Sequence, residues 1–238
     1  SPGTPGGRCR PRRPSPPPRK LTRIKHFTER FETTTDDVLI ILGDVGLNYS
    51  GEHDKYLKAS VSKYPITLFC IHGNHEKRPE RVPGYEIITW NKGKVYRDIR
   101  YPNQLFAIDG EIYNLFGKKF IVIGGAYSPD KWYRLQCGKS WWADEQPSAE
   151  IKKYTEEQLT KVNWDIDYVL SHTSPYKYRP IEKFIPGVVD TDDSTEEWLD
   201  KIEDNLTYKH WYCGHFHTNK KVTSKFTILF TDILEVNL

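Results

Sequence analysis

Val38-Leu39-Ile40-Ile41-Leu42-Gly43-Asp44 is a run of five apolar residues that stops at a glycine and ends in a carboxylate. Five residues rich in branched side chains are too few for a helix and read as a strand buried on both faces, the kind found inside parallel sheets. In open α/β sheets ligands gather just beyond the carboxyl ends of such strands, which is where Asp44 stands. Taken alone, a Gly-Asp step at a strand end is more often a turn or a helix cap, so its meaning depends on what the other strands end in.

Three further strands end in metal-type side chains. Ile66–Ile71 leads through His72 to Gly73-Asn74-His75-Glu76, where Gly-Asn permits a tight backbone that aims an amide oxygen and an imidazole into one crevice. Tyr168–Ser171 leads straight to His172, and His210–Cys213 leads to Gly214-His215-Phe216-His217. Imidazoles at i and i+2 of an extended segment face one side while Phe216 anchors the other. Cys213 shares their parity and reads as a buried thiol rather than a soft ligand. Each motif has a plainer reading by itself: a capping Asn, a loop histidine, a surface strand with two incidental histidines. Four strand ends presenting carboxylate, amide and imidazole at one sheet edge are far less expected by chance than any one of them. Together they point to a divalent-metal site and to phosphoester hydrolysis.

Around these motifs strands and helices alternate as in layered α/β proteins. The spacing of Leu21, Ile24, Phe27 and Phe31 predicts an amphipathic helix to about residue 32, and further helices are expected over 52–63, 149–162 and 195–206. The last carries a capping box, Ser194 with Glu197. Phe120–Gly124 reads as a strand, and short strands at Glu86–Thr89, Lys94–Ile99, Gln104–Ile108 and Glu111–Phe116 predict a second, largely antiparallel sheet. Asp109-Gly110 is the expected hairpin turn between the last two.

Residues 1–20 read differently, with seven of the 16 prolines and six basic residues but no acidic one. That composition marks a disordered or polyproline-like tail before a domain at 21–238. Removing its six charges from the 35 Lys and Arg leaves 29 against 32 Asp and Glu, so the body is mildly acidic. A broad nucleic-acid-binding face is therefore not expected there. Four widely spaced cysteines argue against a disulfide framework, and no apolar stretch is long enough for a membrane span. A cytoplasmic protein with no membrane partner is the expectation; oligomeric state is open.

In this order the segments resemble the calcineurin-like metallophosphoesterase family, over nearly the whole chain from about residue 21. Gly124-Gly125-Ala126-Tyr127-Ser128 and Trp141-Trp142 are similar to its bacterial and phage-borne metallophosphatases. The resemblance implies a four-layer α/β/β/α sandwich and two divalent cations bridged by Asp44. One cation would be held by Asn74, His172 and His215, His217 would belong to the other, and His75 would contact the phosphate as general acid. Mn, Fe, Zn, Ni or Co suit such mixed ligands, availability often deciding among them, and Mn is taken as the working choice. A bridging hydroxide between the cations would attack a small-molecule or peptide-borne phosphoester.

The family also begins with a strand ending in Asp-x-His, and here residues 5–18 read Pro-Gly-Gly-Arg-Cys-Arg-Pro-Arg-Arg-Pro-Ser-Pro-Pro-Pro. Proline cannot sit in a central ladder. The expectation is a missing or replaced motif, weak metal occupancy beside His217, and an exposed sheet edge. A catalytically impaired binding module is the alternative function, and a nuclease helped by the basic tail ranks third. Arg78 and Arg81 read as solvated loop residues with a secondary option of binding phosphate. Most of the aromatics at 127–145 read as packing over the sheet, with a substrate-facing rim as the sharper option.

Overall fold

The computed structural model describes residues 19–184 and 191–236. The tail reading of residues 1–20 falls almost wholly outside that range. The first helix, α1 (Arg19–Phe31), buries Ile24 and leads to β1 (Val38–Ile41). Then come α2 (Asp54–Val61), β2 (Thr67–Cys70), β3 (Tyr85–Trp90), β4 (Gly93–Asp98) and β5 (Gln104–Ala107). These five strands form one sheet in the order β1-β2-β5-β4-β3.

The chain next crosses to a second sheet with β6 (Ile112–Leu115) and β7 (Lys118–Ile123), followed by helices α3 (Lys131–Gln136) and α4 (Ala149–Lys161). It continues with β8 (Tyr168–Ser171), α5 (Ser194–Asn205), β9 (His210–Cys213), β10 (Lys220–Thr223) and β11 (Phe226–Ile228). The second sheet runs β10-β11-β9-β8-β7-β6.

Period-2 alternation sorts the side chains into three apolar layers. Leu39, Ile41, Leu68, Cys70 and Phe106 meet Ile24 and Phe27 of α1 and Leu57 and Val61 of α2. Val38, Ile40, Leu42, Phe69 and Leu105 point the other way, against Phe120, Val122, Tyr168 and Leu170 of the second sheet. Ile121, Ile123, Val169, Trp211 and Cys213 face Leu159 of α4 and Trp198, Leu199 and Ile202 of α5. Helices, sheet, sheet and helices thus stack as the α/β/β/α sandwich expected. β1, β2 and β5 are mutually parallel, as are β7, β8, β9 and β11. The strand-end loops of both sheets consequently collect at one edge.

Several local expectations need correction. The antiparallel strands β3 and β4 join the same sheet as β1 and β2 through β5, so residues 86–107 build no separate sheet. Asp109-Gly110 is not a hairpin turn. β5 and β6 lie in different sheets, and Asp109 is spent on a buried ion pair with Arg78 at 2.6 Å and on accepting the Gly124 N–H at 2.7 Å. The tight hairpin turns fall instead at Asn91-Lys92 (φ 47° and 68°) and Phe116-Gly117 (φ 51° and 80°), whose paired positive φ matches the strand twist. The Ser194 capping box is absent: α5 starts at Ser194 with Asp193 as N-cap residue, and the cap makes no side-chain hydrogen bond. A serine cap does occur at Ser148, whose Oγ accepts the Ile151 N–H at the start of α4.

Candidate metal centre

Asp44 sits just past β1 with a left-handed backbone, φ 54°. Non-glycine residues held there cost energy and cluster at functional sites. Its Oδ1 accepts the His75 N–H at 2.8 Å, which ties the loop after β1 to the loop after β2. Glu76, buried, accepts the Gly73 N–H at 3.0 Å and the Gly46 N–H at 3.4 Å and closes the same two loops from behind. The approach is so close that glycine is required at two points. A Cβ on Gly43 would lie 2.0 Å from His172 Nδ1, and one on Gly73 would lie 2.2 Å from the Asp44 carboxylate.

Asn74 occupies the centre. Its Nδ2 donates to Ser128 Oγ at 2.8 Å, and Ser128 in turn donates to Glu145 Oε2 at 2.6 Å and through its own N–H to Glu145 Oε1 at 2.9 Å. This chain fixes which way the amide points. Asn74 Oδ1 therefore faces His172 Nε2 at 2.8 Å and His215 Nδ1 at 3.2 Å. The other nitrogen of His172, Nδ1, lies 2.7 Å from the Leu42 carbonyl, to which it must donate. In a neutral His172 the Nε2 lone pair thus points at an amide oxygen, with Asp44 Oδ2 only 3.8 Å away. Burial pushes the His215 pKa down to about 3, with His172 opposing its charge further, which favours the neutral imidazole.

His75 lies at the rim of this cluster, half-buried, with its pKa lowered first by burial and raised in part by Asp44. Its Nε2 is 3.9 Å from Asp130 Oδ1, and Asp130 is held from the other side by Arg134 Nε at 2.8 Å. Tyr49 meets Trp142 edge to face at 5.4 Å. In the 127–145 connection, Trp132 and Tyr133 are exposed at 55% and 56%, so these two do not pack over the sheet as expected.

The backbone of the His-x-His motif is not the extended segment expected: His215 and His217 both have positive φ, 66° and 50°. His215 Nδ1 meets the Asn74 oxygen and His217 stacks on Phe230 with ring centroids 4.8 Å apart, yet both histidines line one cavity with Asp44 and His172. Arg78 is likewise no solvated loop residue: it is buried, paired with Asp109, and donates to the Asp144 carbonyl at 2.7 Å. Cys213 is a fully buried thiol whose pKa burial raises, as expected of a core residue.

Ser128 and Glu145, which orient Asn74, were not singled out from the sequence. The Gly124–Ser128 motif marked the right loop, but a Ser-Glu contact across 17 residues leaves no local signature. His72 was passed over too. It is buried beside the cluster with neither ring nitrogen hydrogen-bonded among the described residues, and burial lowers its pKa well below the ordinary value.

Asp44, Asn74, His172 and His215 supply oxygen and imidazole donors of the kind that fit a divalent cation. Among the described residues no group of three or more His, Cys, Asp and Glu side chains is arranged to hold a metal by itself. The Asn74 amide adds an oxygen donor to this set, and His217 lines a cavity together with Asp44, His172 and His215. No helix among the described residues is long and apolar enough to cross a membrane. A family model described as calcineurin-like phosphoesterase matches residues 18–219. No curated protein matches the chain at significant similarity.

Proposed function

The chain belongs to the calcineurin-like phosphoesterase family, and on that premise we propose that it hydrolyses a small-molecule or peptide-borne phosphoester with the help of a divalent cation, Mn being the working choice, held by Asp44, Asn74, His172 and His215. The observation that carries the reading is the convergence of Asn74 Oδ1, His172 Nε2 and His215 Nδ1 within 2.8–3.2 Å. With Nδ1 donating to the Leu42 carbonyl, a neutral His172 turns its Nε2 lone pair on the Asn74 oxygen, and two acceptors facing each other repel unless a cation or a proton lies between them. A divalent cation would satisfy both, with Asp44 and His215 beside it.

A cation there would supply Lewis-acid polarisation of a phosphoryl oxygen and of the attacking water. The chain's own residues do the remainder. Asp44 keeps one oxygen on the His75 amide and turns the other toward His172, so its carboxylate is aimed rather than free to rotate. His75, at the rim, would hand a proton to the leaving oxygen. Asp130, fixed by Arg134, stands behind the His75 ring. Ser128 and Glu145 keep the Asn74 oxygen pointing inward.

The family's second cation, beside His217 and bridged by Asp44, belongs to this proposal in weaker form. His217 lines the cavity with Asp44, but residues 5–18 hold no Asp-x-His motif to add ligands, so low occupancy is expected there. The same observation favours the second reading, an impaired phosphoesterase that binds its ligand without turning it over. Hydrolysis of p-nitrophenyl phosphate and of bis-p-nitrophenyl phosphate separates the two. Mn-dependent turnover that chelator removes and Mn restores, and that Asp44→Ala abolishes, supports the hydrolase. Binding of inorganic phosphate without turnover of either ester would support the binding module.

A further inference from the structure

The connection between β7 and α4 is a closed loop seated on the metal-type cluster. Its neck is fastened twice, by the Ala126 N–H on the Glu145 carbonyl at 3.2 Å and by the Ser128 hydroxyl on the Glu145 carboxylate at 2.6 Å. Ser128 also accepts from the Asn74 amide, so neck and cluster share a bond. Further along, Asp130 Oδ1 comes within 3.9 Å of His75 Nε2, and Trp142 packs on Tyr49 of the loop after β1. Loops whose ends meet over a site are frequent carriers of specificity. His75 stands at the rim as the residue that would protonate the leaving oxygen, so the part of the loop next to it faces the leaving group.

The charges of that part are settled with one exception. Asp130 is paired with Arg134 Nε at 2.8 Å and Asp144 with Arg81 Nε at 2.9 Å, while buried Glu145 accepts from the hydroxyl and the N–H of Ser128. Lys131, the residue after Asp130, forms no ion pair among the described residues. Its half-buried side chain instead brings Nζ to 4.4 Å from the Trp141 ring centre and 5.3 Å from that of Trp132. Two indoles hold an ammonium in place without cancelling its charge. Burial raises the Glu145 pKa, the Ser128 hydrogen bonds oppose that rise, and Lys131 opposes it in smaller part, so the ammonium lies within electrostatic reach of the neck. Lys139, the other lysine of the loop, is exposed and donates to the Tyr133 hydroxyl at 3.2 Å. A lysine that serves only solubility keeps its head in water; Lys131 is drawn between two rings, beside the carboxylate that faces His75.

We propose that Lys131 is a specificity residue, which receives a second anionic group, a carboxylate or a further phosphate, carried on the leaving group of the phosphoester. The proposal rests on the phosphoesterase reading and names the substrate class of that same site. The scissile phosphoryl group itself belongs to the cluster on the other side of His75.

The test is calorimetric titration of the Mn-loaded full chain with three ligands that have a P–C bond and cannot be hydrolysed: benzylphosphonate, 4-carboxybenzylphosphonate and 4-phosphonobenzylphosphonate. At least one of the two doubly anionic ligands is expected to bind the parent about fivefold tighter than benzylphosphonate, and which of them gains more tells carboxylate from phosphate. Lys131→Gln is expected to erase that advantage and to bind benzylphosphonate as the parent does, which also serves as the control for folding. Lys139→Gln removes the same charge from the exposed part of the loop and is expected to keep the advantage. Equal binding of all three ligands by the parent would overturn the proposal, as would an advantage that survives Lys131→Gln or is lost equally in Lys139→Gln. Equal weakening of all three in Lys131→Gln would overturn it too, by assigning the ammonium to the shared phosphonate. Failure of all three to bind would leave no such subsite, and turnover of p-nitrophenyl phosphate by the same sample would then show whether the phosphoesterase reading stands without it.

Discussion

The carboxyl ends of β2, β8 and β9 and the free edge of β1 form two sides of one sheet edge, and they are built differently. On the first side Asn74 and His172, past the mostly buried β2 and the buried β8, are held by hydrogen bonds of 2.7–2.8 Å to Ser128 and Leu42. On the second, β1 is half-buried, a large cavity runs alongside it, and His217 rests on an exposed phenylalanine. Interior strands have neighbours that absorb backbone strain and fix side-chain direction; an edge strand has them on one side only. The comparison teaches that a site spread over several strand ends is only as ordered as the strand under each ligand.

The first way to break this comparison is kinetic. Asn74→Ala removes the oxygen between two imidazoles, and a loss on the order of 10³-fold in kcat/KM is expected. His217→Ala is expected to stay within about tenfold. Equal losses on chromogenic phosphoesters at saturating Mn would mean that both sides carry the chemistry. Stability supplies the next test. Asp109→Ala leaves the Arg78 guanidinium buried without its partner and strips the Gly124 N–H of its acceptor, for an expected cost of about 3–5 kcal/mol in urea unfolding. A cost under 1 kcal/mol would show that the interior side is less rigidly braced than its geometry indicates.

Glu196, on α5 behind the ordered side, gives a pH signature. Burial raises its pKa to about 7, partly opposed by the Thr173 hydroxyl that donates to it at 2.7 Å. The folded state therefore binds the proton more tightly than the unfolded state, whose value is near 4.5. Stability from this group is present below about pH 4.5 and is lost as pH rises to about 7. Glu196→Gln is expected to narrow the drop in stability between pH 5 and pH 8 by up to ~3 kcal/mol. An unchanged pH profile in thermal or urea unfolding would contradict it. The smallest effect compares two valines. Val169→Thr buries a hydroxyl in β8 at a position with 0% exposure and is expected to cost ~1–3 kcal/mol, while Val38→Thr on the edge strand is expected to cost under ~1 kcal/mol. Equal costs would mean that the edge is covered.

What was legible in the sequence follows the same division. Tyr168–Ser171 and His210–Cys213 were read to the residue, because interior parallel strands are continuous apolar runs with sharp ends. Asp44, Asn74, His172 and His215 come together as their strand-end positions implied. The errors lie where long-range context overrides local pattern. Asp109-Gly110 has the composition of a hairpin turn, yet the chain there changes sheets and the carboxylate goes to Arg78. His-x-His has the spacing of a two-ligand strand, yet positive φ at both histidines bends the backbone out of the extended form. Arg78 looked like a solvated loop residue because its partner lies 31 positions away. Residue spacing reports which face a side chain would take on a regular element, and it fails where the backbone leaves that element.

The most direct measurement is bound metal per chain by elemental analysis, after loading with Mn and desalting, for the parent, Asp44→Ala and His217→Ala. The account predicts close to one Mn in the parent and in His217→Ala, and close to none in Asp44→Ala. Close to two in the parent, with one lost in His217→Ala, would contradict it by showing that the edge side holds a cation as firmly as the interior side does.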